Sequence, residues 1–263
     1  MSVGTTARQD LLVARRSKLW QASVVGGLVV TLGGILVAQV LGGNQQSSPS
    51  FRFLVLIVWL TSGVLLPLGG ILLGAASIAG ERTDETLRTI GSLPITRDAF
   101  VHGKLLARLV TAESGVIVGL LVLFGATSVT GVQFDVARFV TFATYTGLVV
   151  ASYVCLGVAV SSRTATRSRA VTTALIGFLC TAVWPRAVTL LAAAVGFDGV
   201  GVLLLARLSP FGAYGQLVSD PGAILSVKVT TPLLGSGMMT AILLMWTVIP
   251  VFAARRWFRG ADL

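Results

Sequence analysis

The groups able to do chemistry are few and scattered: 10 aspartates and glutamates, a single histidine and 2 cysteines in 263 residues. His102 stands among Arg97, Lys104 and Arg108. Alone it builds no metal site, and it reads as a surface residue. Cys155 and Cys180 fall inside apolar runs and read as small core hydrophobes. Glu113 is the acid that lies inside an apolar run. A carboxylate there is a functional hypothesis by default, as a gate or proton site; the plainer reading pairs it with a basic residue near the membrane surface. An intramembrane enzyme would need converging acids, a histidine cluster or a Ser-His pair, which these spacings do not supply. Gly103-Lys104 is followed by Leu105, and Asp98 stands where a phosphate-binding loop needs its first glycine. The chain therefore reads as a non-enzyme, with no nucleotide-binding or catalytic motif and no cofactor or metal of its own.

The longest charged stretch is residues 80–108, which carries Glu81, Arg82, Asp84, Glu85, Arg88, Arg97, Asp98, Lys104 and Arg108. Long uncharged runs flank it, 53–80 before and 114–134 after. A polar island of this length between two such runs is where the chain can meet a soluble partner.

The elements that position the island follow from composition. Hydrophobic residues make up 54% of the chain, charged residues 11%, and mean hydropathy is +0.89. The medium for most of it is lipid. At about 1.5 Å per residue, some 20 apolar residues cross a hydrocarbon core of about 30 Å. The sequence predicts an all-α integral membrane protein, one transmembrane domain over 1–263, with six crossings near 20–42, 53–80, 109–130, 139–161, 170–195 and 229–254. Residues 1–19 mix Arg8, Arg15, Arg16 and Lys18 with leucines, as expected of a helix lying on the membrane surface. Trp20 follows as an interfacial anchor. The first run is too long for a cleaved signal. Pro67 is expected to kink the second crossing, and Thr83 to cap a new helix beyond it. Between 187 and 228 the apolar pattern is broken by Gly, Pro, Asp and Arg, which predicts one or two short re-entrant helices before the last crossing. Gly70-x-x-x-Gly74 and Gly115-x-x-x-Gly119 suggest close packing of the second and third crossings.

Charge asymmetry orients this arrangement. Of 20 lysines and arginines, only Arg52, Arg138, Arg186, Arg207 and Lys228 fall on one side. The rest fall at both termini, in the 80–108 island and in the tight loop 162–169. Membrane proteins keep Lys and Arg in cytoplasmic loops, so both termini and the island are expected in the cytoplasm. The net charge of +10 thus reads as topology, and nucleic acid is not expected as a partner.

Within the island, Asp84 and Glu85 suit a helix N-terminus, Asp84 can pair with Arg88, and Leu87 and Ile90 form a narrow apolar stripe. Pro94 stops that helix; Thr96 can cap the next, with Asp98 in its first turn. An amphipathic helix of this kind can dock in a groove of a soluble domain. The run Glu81-Arg82-x-x-x-Thr86-Leu87, then Leu93-Pro94, Arg97 and Gly103-Lys104, resembles the signature after the second span of type-2 ATP-binding cassette (ABC) permeases. The likeness extends along nearly the whole chain: basic surface helix, six spans, broken helices before the last. Many relatives have a charged residue at Thr83 and a glycine at Glu85, where this chain departs from the pattern.

The resemblance implies a coupling helix between spans two and three. Glu81, Arg82, Asp84, Glu85, Thr86, Leu87, Arg88, Pro94, Arg97, Gly103 and Lys104 would be the ATPase-coupling residues. It further implies two copies of a separate ABC ATPase holding ATP and Mg, a second permease half forming a homo- or heterodimer, and a multi-pass place in the plasma membrane, with export as the family habit. The competing reading is a membrane scaffold or assembly factor that shares the transporter fold without moving a solute.

Overall fold

The computed structural model describes residues 4, 7, 8, 10–12, 18–42, 51–83, 96–130, 134–197, 199–218 and 235–260. Their regular structure is helical: α1 (Lys18–Gly42), α2 (Phe51–Ala75), α3 (Ser77–Thr83), α4 (Arg97–Thr130), α5 (Val136–Arg163), α6 (Arg167–Val195), α7 (Val200–Arg207), α8 (Pro210–Val218) and α9 (Ser236–Arg259). Six segments are long and apolar enough to cross a membrane: Lys18–Val40, Leu56–Thr83, Arg97–Val129, Val136–Arg163, Arg167–Val195 and Ser236–Arg259. The described residues between Gly4 and Leu12 are also helical.

Local chemistry sets the helix ends. Thr96 opens α4, its hydroxyl accepting from the Ala99 amide at 3.2 Å, with Asp98 in the first turn. Asp135 caps α5 by accepting from the Arg138 amide at 3.1 Å. The loop between α5 and α6 shrinks to Thr164–Thr166, and Thr166 caps α6 through the Arg169 amide. Gly196, at φ 75°, closes α6 in the left-handed conformation that glycine adopts without strain.

Boundaries move outward from those expected. At 34 residues, α4 begins twelve residues before the expected span. At about 1.5 Å per residue it reaches about 51 Å, well beyond a hydrocarbon core. The fifth crossing begins at Arg167, three residues before the expected start, and the last reaches Arg259. The second crossing passes through Pro67 within one helix and breaks instead at Ala76. Two short helices, α7 and α8, occupy part of the broken region ahead of α9. Residues 219–234, including the expected start of the last crossing, lie outside the described residues.

Packing is organised around α5, which buries Val149, Val150, Tyr153, Val154 and Val158 against α2 and α9. The second tight seam joins α1 to α4. In lipid there is little hydrophobic gain in bringing helices together, so close backbone approach has to supply the contact. A Cβ at Gly74 would meet the Val154 carbonyl at 2.4 Å, and one at Gly157 the Ile71 carbonyl at 2.3 Å. On the other seam, a Cβ at Gly115 would lie 2.4 Å from the Ser23 carbonyl, and Gly119 packs on Thr31. The glycine pairs therefore join the second crossing to the fourth and the third to the first, not the second to the third. Small-residue spacing reveals a close-packing face but not its partner. Along both seams residue numbers rise together (Gly70 with Val150, Gly74 with Gly157; Ser23 and Thr31 with Gly115 and Gly119), so each pair runs parallel.

Outward faces stay apolar. On α6 only Ala170, Ala174 and Phe178 are buried, while Ile176, Leu179, Leu190 and Leu191 are exposed. Such a helix needs a non-aqueous surrounding. Cys155 is buried as expected, but Cys180 faces outward on α6 and is not a core residue.

Candidate functional site: a polar clamp at one end of the bundle

One end of the bundle gathers the charged side chains of five elements. Lys104, on the third turn of α4, has only 4% of its side chain exposed. It donates to Asp10 Oδ1 of the N-terminal segment at 2.6 Å and to Glu81 Oε1 at the end of α3. Its ammonium also lies 5.5 Å from the Phe100 ring centroid. A lysine this deep is tolerable because two carboxylates surround it; removing it would leave both acids facing one another.

Phe100 stacks on Phe258 of α9 with centroids 5.3 Å apart, and the Arg82 guanidinium covers Phe258 at 5.8 Å. Arg82 then donates to the Thr164 carbonyl at 2.7 Å and the Ser162 carbonyl at 3.0 Å. These are carbonyls at the C-terminal end of α5, which lack helical partners and carry the negative end of the helix dipole. The same logic operates on α9. Arg97 donates to the Phe258 and Arg259 carbonyls at 3.3 and 2.8 Å. Asp98 accepts from Arg255 at 2.9 Å and from Arg259 Nε at 2.8 Å.

The break at Ala76 belongs to this network. Restarting the helix at Ser77 leaves amides without intrahelical acceptors. Ser161 of α5, fully buried, accepts from the Ile78 and Ala79 amides at 3.0 and 2.8 Å. Thr83 stands at the end of α3, and the helix it was expected to cap lies outside the described residues. Its hydroxyl bonds the Ala79 carbonyl and accepts from the Arg167 amide at 3.0 Å.

The expected coupling residues thus divide. Glu81, Arg82, Arg97, Gly103 and Lys104 are brought together on the two helices that lead into and out of the 84–95 segment, and all but Gly103 are engaged inside the chain. Asp84, Glu85, Thr86, Leu87, Arg88 and Pro94 lie outside the described residues. Sequence reasoning missed Asp10 and Ser161. Asp10 had a signal, as the lone acid in a basic terminal stretch; Ser161 had none.

Glu113 stands apart from the clamp. It lies sixteen residues along α4 from Arg97, and its carboxylate approaches Gly147 of α5, 3.2 Å from where a Cβ would stand. Among the described residues it has no ion-pair partner. Gly147 leaves the space that the carboxylate occupies. His102 is half-buried, its Nδ1 2.7 Å from the Asp98 carbonyl one turn back.

At the far half, Trp184 and Trp246 donate their indole N–H groups to the Leu205 and Leu208 carbonyls, at 2.8 and 2.7 Å. These bonds tie α6 and α9 to the end of α7, and a 2.7 Å bond between Thr146 and the buried Tyr214 ties α5 to α8.

No curated protein matches the chain. A family model described as "ABC-2 family transporter protein" matches residues 7–263, from the N-terminal segment that holds Asp10 through the last residue. With six apolar crossings and a match over nearly its whole length, the chain belongs to the ABC-2 family of transporter permeases and is a multi-pass membrane subunit of an ABC transporter.

Proposed function

We propose that this subunit forms one half of an export pathway in the plasma membrane and is driven through the segment between Thr83 and Thr96 by a separate ATPase that holds ATP and Mg. Two permease halves and two ATPase copies make up the working assembly, with the clamped end and both termini in the cytoplasm. The clustering of Arg82, Arg97, Arg163, Arg167, Arg255 and Arg259 at that end supports the orientation, since basic residues collect on the cytoplasmic side.

One observation carries the reading. Both stems of the 84–95 segment are fastened to other crossings, Arg82 to the end of α5 and Arg97 to the end of α9. A push on the segment cannot move one stem without loading the fourth and sixth crossings. A bonded network with alternative arrangements is how local displacement becomes a change of access.

The test is to co-express the chain with ABC ATPases of the same genome, reconstitute the pair that co-purifies in vesicles, and measure nucleotide hydrolysis together with flux. Deleting 84–95 is expected to abolish co-purification, whereas Arg97→Glu keeps the complex and uncouples hydrolysis from flux. Undiminished ATPase association after the deletion refutes the docking assignment.

A further inference from the structure

Between α5 and α9 runs a trough of about 270 Å³ whose lining is entirely apolar, including Leu156, Val160, Trp246, Ile249, Ala253 and Trp257. It opens to the outside of the bundle, where Ile249 is 57% and Trp257 38% exposed. The two helices run parallel here, Tyr145 meeting Thr240 and Arg163 meeting Trp257. From Met245 to Trp257 the trough follows twelve residues, about 18 Å at the helical rise, close to the roughly 15 Å of one leaflet's hydrocarbon.

Its mouth at the clamped end is basic. The Arg163 guanidinium lies 5.4 Å over the Trp257 ring, and Arg256 is exposed beside it. The described acids at this end are engaged elsewhere: Asp98 with Arg255 and Arg259, Glu81 and Asp10 with Lys104. Among the described residues Arg163 has no carboxylate partner. A guanidinium placed over an aromatic ring in this way still has N–H donors to offer a phosphate.

From this we infer that the α5–α9 trough is a binding site for an anionic phospholipid of the leaflet at the clamped end, one acyl chain lying along Ile249 and Ala253 and the phosphate held by Arg163 over Trp257. The occupant follows from the juxtaposition of a leaflet-length apolar channel with an uncompensated cation at its mouth. Neither a soluble anion nor a neutral lipid would use both.

The full chain, purified in detergent and incubated with phosphatidylglycerol or phosphatidylcholine, tests this by native mass spectrometry. The wild type is expected to retain phosphatidylglycerol about fivefold over phosphatidylcholine, near the effect of one basic residue at a membrane surface. Arg163→Gln, an exposed change that leaves packing intact, should remove that preference while keeping general lipid retention. Ala253→Trp fills the trough and should lower retention of both lipids. An unchanged preference in Arg163→Gln overturns the proposal. So does dissociation of a dimer by Ala253→Trp with lipid retention intact, which would make a second copy the occupant.

Discussion

The two halves of this bundle are held by different chemistry. At the clamped end, five elements meet through charges: Lys104 between Asp10 and Glu81, Asp98 between Arg255 and Arg259, and two arginines on helix-end carbonyls. In the far half the ties are neutral, two indoles on the carbonyls at the end of α7 and a hydroxyl pair between Thr146 and Tyr214. Neutral bonds in an apolar surrounding have fixed partners and little reason to exchange. Charged groups near water can trade one partner for another at small net cost, because the lost bond is replaced by solvent. The lesson is that at the clamped end the outer pairs of Asp98 are exchangeable, whereas the buried Lys104 group and the neutral bonds of the half holding α7 and α8 keep fixed partners.

That contrast can be broken most forcefully at the deeply buried charge of Lys104. Lys104→Met should lower unfolding stability by about 3–5 kcal/mol, because two carboxylates lose their common cation. Thermal unfolding of the purified chain measures it, and Lys104→Met combined with Glu81→Gln and Asp10→Asn should recover most of the loss. If the single variant is as stable as the wild type, the clamp is not structural. A smaller effect is expected in the far half: Trp246→Phe keeps the ring and removes the donor to Leu208, a loss of about 1 kcal/mol that salt should not alter. The smallest belongs to Asp98→Asn, whose pairs with Arg255 and Arg259 lie near the surface. Its shift in melting temperature should be slight at low salt and vanish near 1 M, where the screening length is about 3 Å. Salt sensitivity of Trp246→Phe, or salt insensitivity of Asp98→Asn, would erase the distinction between the halves.

Much of this was legible beforehand because lipid imposes a length and a composition on each crossing. Apolar runs of about 20 residues marked the helices, and the Thr96 cap was readable from one hydroxyl ahead of an acidic first turn. Other features follow rules that a linear pattern does not carry. The start of α4 at Arg97 could not be set by hydropathy, since its first three turns are polar on one side and buried on the other. Pro67 lies within a continuous helix, and the break falls at Ala76, where Ser161 of another helix is available to receive the freed amides. Glu113 could be flagged as out of place, yet its neighbour Gly147 comes from a different crossing.

By itself, then, the sequence determined what each segment is. Hydrophobic length makes the six crossings, charge asymmetry separates the two sides, and the Glu81–Lys104 run marks the family, because those properties depend only on residues near one another in the chain. Which segment touches which was decided by tertiary structure alone. The pairing of Gly74 with Gly157 and Gly115 with Ser23, and the meeting of Asp10, Glu81 and Lys104, depend on shapes and charges fitting across distant helices. A glycine or a lone acid announces that a partner is needed, but only the packed bundle supplies it.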